Sequence, residues 1–237
     1  MVLVTLSVED NEQLAQFPRH HSVKSHSPIM MDFTIKRADF PEDMKKIDDF
    51  IYEKFLPDMP LIRLFNIDTS SPRHMLPSPH QPSPDSGDIY LKAVDVHGKI
   101  IGLAINKETV HFNNDADATP EWQRMADFMD FVEKHAQLHQ MTGRTIELFV
   151  LSVSSDWRQR GVARRLVEES MALARDAGFQ TMTIFCTGEF VARIPRSLGW
   201  REHYRLAYQD YPTLSGRDVP LIAVPPHDHA YYFAIKL

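Results

Sequence analysis

From Asp32 onward the chain shows clear periods of apolar and polar positions. "DFTIKRA" (32–38) alternates with a period of two and predicts an edge strand. In "DFPEDMKKIDDFIYEKFL" (39–56), Met44, Ile47, Ile51 and Phe55 recur at helical spacing, behind acidic residues suited to a first turn. Residues 70–87 carry five prolines, which excludes a helix or a central strand and predicts a mobile loop. "DIYLKAVDVHGKIIGLAINKETV" reads as a hairpin turning at His97-Gly98. Thr119 and Pro120 open a helix whose apolar stripe is Trp122, Met125, Met129 and Val132. "TIELFVLSV" (145–153) is apolar almost throughout, as expected of a strand covered on both faces. A helix over 161–177 stops at Gly178, followed by the strand "FQTMTIFC" and a short helix "EFVARIPRSL" ended by Gly199. "REHYRLAYQDY" and "HAYYFAIKL" complete the strands. Residues 1–30 show no sustained period and are expected to form a flexible extension. The order of elements predicts one α/β domain over 31–237 with a mixed sheet.

Composition narrows the partners. The 237 residues carry a net charge of −6, which disfavours nucleic acid and anionic membrane as partners. No apolar run approaches the ~20 residues of a membrane span. "MVLVTL" is too short for a signal-peptide core, and acidic residues follow it. The single cysteine, Cys186, excludes an intrachain disulfide and fits a reducing compartment. The expectation is a cytoplasmic protein, monomer or weak dimer, acting on a small molecule. The tightest histidine groups, His20/His21/His26 and His227/His229, lack a third regularly spaced ligand, so no metal site is expected.

Against that acidic background, "SDWRQRGVARRL" (155–166) concentrates Arg158, Arg160, Arg164 and Arg165 at a strand-to-helix turn. A helix start offers unpaired N–H groups and partial positive charge, an arrangement that binds phosphate. Gly161 permits backbone angles closed to other residues and close approach of an anion, and Ala163 is small for the same reason. A local basic site on an acidic chain points to a small anionic ligand with a pyrophosphate's dimensions.

"RQRGVA" (158–163) resembles the Arg/Gln-x-x-Gly-x-Gly/Ala motif of the GNAT acetyltransferase superfamily. With "LSVSSDWRQRGVARRL", "CTGEFVARIPRSLGW", "AYQDY", "VPPHDHAYYFAIKL" and "FLPDMPL", the chain from about Asp32 to Leu237 is similar to the invertebrate arylalkylamine (dopamine-type) N-acetyltransferases. The resemblance implies a GNAT acyltransferase fold: a mixed, mostly antiparallel central sheet splayed at a parallel pair and flanked by helices. It implies acetyl-CoA as acyl donor and direct attack by a small primary amine. The backbone of Leu151, Ser152 and Val153 would pair with the pantetheine arm. Arg158, Gln159, Arg160, Gly161, Val162, Ala163 and Arg164 would hold the pyrophosphate. Residues 1–30 lie outside the resemblance, so their removal is expected to leave donor binding unchanged.

The catalytic positions depart from the family. Its usual base is a glutamate in Asp-Glu-Pro-Leu, where this chain reads Asp58-Met59-Pro60-Leu61. Two carboxylates are candidates for the missing base. Asp58 is adjacent. Glu147 lies fourteen residues ahead of Gly161, a spacing that matches the base of the histone-acetylating branch. Strand alternation places Glu147, Phe149, Leu151 and Val153 on one face. A strand-edge salt bridge is an equal reading of Glu147. The common tyrosine acid falls at Pro195. Of the two serine positions used in the amine-acetylating branch, Thr187 keeps a hydroxyl and Val191 does not. Thr187 is the candidate donor to the leaving thiolate, with a helix-cap or strand-end role as the alternative. Met59, Val191 and Pro195 motivate a rival function, an acyl-CoA-binding protein with weak or lost catalysis. A third reading exchanges the acceptor for a polyamine or a protein lysine.

Overall fold

The computed structural model describes residues 3–4, 32–69, 87–108, 119–138, 141–216 and 221–237. Among the described residues, eight strands form one sheet: β1 (Leu3–Val4), β2 (Phe33–Arg37), β3 (Ile89–Asp95), β4 (Ile100–Lys107), β5 (Thr145–Val153), β6 (Thr181–Cys186), β7 (Arg201–Ala207) and β8 (His229–Lys236). The helices are α1 (Met44–Phe50), α2 (Pro60–Leu64), α3 (Pro120–His135), α4 (Val162–Asp176), α5 (Glu189–Ser197) and α6 (Tyr211–Ser215). The main path is β2-β3-β4-β5-β6-β8-β7, antiparallel except at β5–β6, and β1 adds to β5. No described helix is long and apolar enough to cross a membrane.

The predicted order of elements holds over the described residues with three additions, β1, α2 and α6, and one correction: the strand expected over 201–211 ends at Ala207, and the chain turns helical over 208–215. Gly98 turns the β3–β4 hairpin and Gly178 follows α4, both at positive φ as the patterns require. Thr119 caps α3 by accepting from the Trp122 N–H. Ile146–Val153 of β5 are all buried, so this strand is covered on both faces. The first helix begins later than its acidic residues suggested. Asp43 precedes it, and its carboxylate accepts the Asp39 N–H at 2.8 Å and pairs with Lys92 of β3. The helical path then loosens to a π turn over Ile51–Phe55 and tightens to a 3₁₀ turn over Leu56–Asp58, ahead of Met59 and α2. The proline tract over 70–86 lies outside the described residues. So does the extension, apart from Leu3–Val4, which form a strand although the segment shows no apolar period.

Amphipathic α4 fixes the middle of the sheet. Val162, Leu166, Val167, Ser170 and Ala174 form its buried face, against β3, β4 and β5. Full burial of a leucine such as Leu166 contributes about 1.5–3 kcal/mol. Gly102 of β4 lets the helix sit close, since a Cβ there would meet Leu166 and Val162 at 3.1 Å. Buried Asn106 of β4 donates to the Ile89 carbonyl at 3.0 Å and to the Ser170 hydroxyl at 3.1 Å.

The pairing of β4 with β5 corrects the predicted face alternation. Ile105 pairs with Val150 but Asn106 pairs with Leu148, so β5 carries an extra residue at Phe149. Such a bulge shifts which residues share a face. Gly102 and Asn106 both face α4, and their partners are Val153 and Leu148; Ala104, on the same face, pairs with Leu151. Leu148, Leu151 and Val153 therefore face α4. Glu147, Val150 and Ser152 take the other side, and Glu147 does not share a face with Leu151 and Val153.

Candidate active site

Strands β5 and β6 pair at only three positions: Thr145 with Thr181, Ile146 with Met182, and Glu147 with Thr183. β6 then stays on β8 as far as Cys186, whereas β5 stays on β4 as far as Val153. The two strands thus diverge immediately beyond Glu147. This is a V-shaped opening with a carboxylate at its apex and the arginine turn at its mouth.

At the mouth, β5 ends and a short 3₁₀ turn, Ser155–Trp157, leads into the turn before α4. Gln159 and Gly161 both take left-handed backbone angles, with φ of 59° and 79°. A Cβ at Gly161 would meet nothing within 4 Å, so glycine is needed there for its angle, and the surrounding space is open. The first described backbone bond at the start of α4 runs from Arg165 N–H to the Gly161 carbonyl, at 3.0 Å. The N–H groups of Val162, Ala163 and Arg164 thus precede the helix ladder, as expected at a helix start. A cavity of about 310 Å³ lies between this turn and α5. Val153, Trp157, Arg158, Gln159, Gly161, Val162, Ala163 and Arg164 line it on one side, and Phe190, Arg193 and Ile194 on the other. Leu151 and Ser152 lie deeper along the opening on β5.

The cations at the mouth are not equivalent. Arg160 stacks over Trp157 at 5.0 Å from the ring centroid, and Arg164 pairs with Glu168 at 2.9 Å. Arg193, which the sequence did not single out, lies over Phe190 at 5.1 Å. Arg158 differs from the expected ring of charge. Its side chain is only 7% exposed, its Nε donates to the Val153 carbonyl at 3.3 Å, and its guanidinium binds Asp58. One contact thus places two of the predicted residues. Arg158 turns inward and serves as a tie, and Asp58 is engaged by its guanidinium. Met59, at the family's glutamate position, is fully buried.

At the apex, Tyr232 of β8 donates its hydroxyl to Glu147 Oε1 at 3.0 Å. Both residues are buried, and burial, followed by the charges of Glu147 and Glu133, pushes the Tyr232 hydroxyl well up from its ordinary pKa. Glu133 of α3 is exposed but interacts with this carboxylate by charge: partial desolvation raises its pKa, and the charges of Glu147 and Asp130 act in the same direction. Neither Tyr232 nor Glu133 was a sequence candidate. The signal was available only as polar residues interrupting apolar stripes.

Thr187 is fully buried at the end of β6, and its carbonyl accepts from the Tyr208 hydroxyl at 2.7 Å. Gly188, not Thr187, caps α5. Pro195 lies inside α5, which continues through it to Ser197. His227 packs edge-on to Phe190 at 4.9 Å, close enough to Gly188 that a Cβ there would meet Nδ1 at 2.3 Å. Neither of its ring nitrogens has a hydrogen-bond partner among the described residues. Burial, then the charge of Arg63, lowers its pKa from 6.5, favouring the neutral ring.

The fold, the splayed parallel pair and the turn before α4 are those of an acyltransferase. The family model for the acetyltransferase (GNAT) family matches residues 50–193, and the chain belongs to that family. Among solved structures, arylalkylamine N-acetyltransferase 2 from Aedes aegypti is similar at 22% identity and a TM-score of 0.69, over 86% of this chain and 99% of that one. The Drosophila melanogaster polyamine N-acetyltransferase, which catalyses formation of N-acetylagmatine, is similar at 20% identity and a TM-score of 0.66, over 87% and 100%. The C-terminal condensation domain of Ebony, in complex with beta-alanyl-dopamine, shares the fold at 12% identity and a TM-score of 0.69, over 88% and 100%.

Proposed function

We propose that this acyltransferase moves an acetyl group from acetyl-CoA to a small primary amine by direct attack. The observation that carries the reading is the opening between β5 and β6, which runs from a basic turn to the buried carboxylate of Glu147. The turn fits a pyrophosphate, because its helix-start N–H groups, open space at Gly161 and nearby arginines are an anion site. In this reading the backbone of Gln159–Arg164 holds the pyrophosphate, while the edge of Leu151–Val153 that β6 leaves pairs with the pantetheine arm as an added strand.

An alkylamine is mostly protonated near neutrality, and attack needs its free lone pair. Glu147 is the proposed base, taking that proton directly or through water, with Tyr232 holding the carboxylate in place. The amine nitrogen then forms a bond to the acetyl carbon as the carbon–sulfur bond breaks. The Thr187 hydroxyl is the proposed donor to the departing thiolate. Asp58 is not the preferred base, because Arg158 already compensates its charge.

Acetyl-CoA consumption across a panel of amines, read as thiol release, tests the proposal. Amine-dependent release with wild type and a strong loss with Glu147→Gln support it. Donor binding without release from any amine would favour the acyl-CoA-binding rival instead. A second acceptor class, amines with an additional positive charge, is favoured by the charge interaction of Glu133 with Glu147. Agmatine and aryl-ethylamines in the same panel separate the two.

A further inference from the structure

Leu3 and Val4 form β1 parallel to β5, with Leu3 in register with Val150 and Val4 with Leu151. On its other edge β5 is already bound to β4 at those same residues, with Ile105 opposite Val150 and Ala104 opposite Leu151. β1 therefore occupies the edge that β6 abandons beyond Glu147. An open strand edge presents backbone donors and acceptors that an extended segment can satisfy. Val4 is β-branched, a residue type that favours extended backbone.

The same edge is the one assigned above to the pantetheine arm. A backbone N–H or carbonyl has one such direction to offer, so two extended occupants cannot pair with Leu151 together. We propose that β1 is an internal competitor of the acyl donor: an autoinhibitory strand that must leave β5 before acetyl-CoA can bind. The inference rests on the acetyl-CoA reading of the opening. It reverses the expectation that the extension is irrelevant to donor binding. Two residue pairs are a small hold, so the strand suits a reversible gate, and its undocked fraction sets the apparent donor affinity.

The experiment is calorimetric titration of acetyl-CoA into three proteins: the full chain, a variant lacking residues 1–8, and the full-length Val4→Pro, in which the strand loses an N–H donor. If the strand is docked most of the time, the truncated variant and Val4→Pro bind the donor about three- to tenfold more tightly than the full chain. A peptide of residues 1–8 added to the truncated variant weakens donor binding competitively. Without donor, the amides of Val150–Ser152 exchange faster in the truncated variant than in the full chain. Equal affinity in all three proteins, or tighter binding by the full chain, overturns the inference while leaving the acetyl-CoA reading intact. Absence of binding in all three overturns the acetyl-CoA reading and the inference with it.

Discussion

The Arg158 guanidinium at the mouth of the opening meets the carboxylate of Asp58, one hundred residues earlier in the chain. The contact ties the segment before α2 to the end of β5, because Arg158 also donates to the Val153 carbonyl. Hydrogen bonds to charged groups contribute about 1.5–3 kcal/mol when neither partner can be replaced by water. Asp58→Asn should therefore lower stability by about that range in urea unfolding. Donor affinity should weaken with it, because the turn loses its tie. The shape of the pH profile of turnover should stay the same. Loss of the acidic limb of that profile in Asp58→Asn would return the base to Asp58.

Gly161 contributes an angle rather than a gap. Its φ of 79° is left-handed, and a Cβ there would touch nothing within 4 Å. Holding an L-residue with a side chain at that angle costs about 1–2 kcal/mol. A β-branched residue is an outlier at positive φ, so in Gly161→Val the turn should relax and misdirect its N–H groups. Acetyl-CoA binding must then restore the strained turn and weakens by about tenfold for each 1.4 kcal/mol. Calorimetry on the folded variant measures the change, and an unaltered Kd would remove the turn from the donor site.

The pair at the apex should dominate turnover. General-base catalysis typically contributes about 10²–10⁴-fold, so Glu147→Gln should reduce kcat within that range. The amide keeps the size of the side chain, and the Kd for acetyl-CoA should stay within about twofold, a difference under 1.4 kcal/mol. Tyr232→Phe removes the hydroxyl that donates to Glu147 at 3.0 Å and should lower kcat by less. Stopped-time thiol release with saturating donor separates these effects. A Glu147→Gln enzyme as fast as wild type would end the assignment.

What could be read from the sequence follows the range of the interaction that decides each feature. The hairpin at Gly98, the stop at Gly178 and the strand–turn–helix around Gly161 are set by neighbours in sequence, and the patterns show them. The bulge at Phe149 depends on register against β4 and moves Leu151 to the face opposite Glu147. The inward turn of Arg158 depends on Asp58, and the hydroxyl beside Glu147 comes from the last strand. Leu3–Val4 could pair only because β6 leaves β5, a property of the sheet rather than of the segment. Long-range pairing therefore hid the details of the site while its scaffold remained readable.

His227 makes stability depend on pH. Burial and then Arg63 lower its pKa from 6.5, so the folded protein takes up this proton less readily than the unfolded chain. Stability associated with the neutral ring is present above 6.5 and is lost as pH falls below it. His227→Leu removes the titrating group while keeping an apolar side chain beside Phe190. The fall in Tm between about pH 7.5 and about pH 5.5 should be smaller in the variant than in wild type. An unchanged fall would assign the acid sensitivity to other groups.

Met59 tests whether the family's base position can be restored. It is fully buried, in extended backbone just ahead of α2, and next to a carboxylate already bound by Arg158. Met59→Glu places an acid at a fully buried position, and an uncompensated buried charge costs about 3–5 kcal/mol. Burial raises the pKa of such a carboxyl, so the loss should be largest at alkaline pH and shrink as the pH is lowered and the group takes a proton. Urea unfolding at about pH 8 and about pH 5 measures both the size and the sign. If Glu147 is the base, the variant should gain no turnover despite its new carboxylate, because the proton already has an acceptor at the apex of the opening. A gain of about tenfold or more near neutral pH, within the reach of a working base, would move that role to position 59.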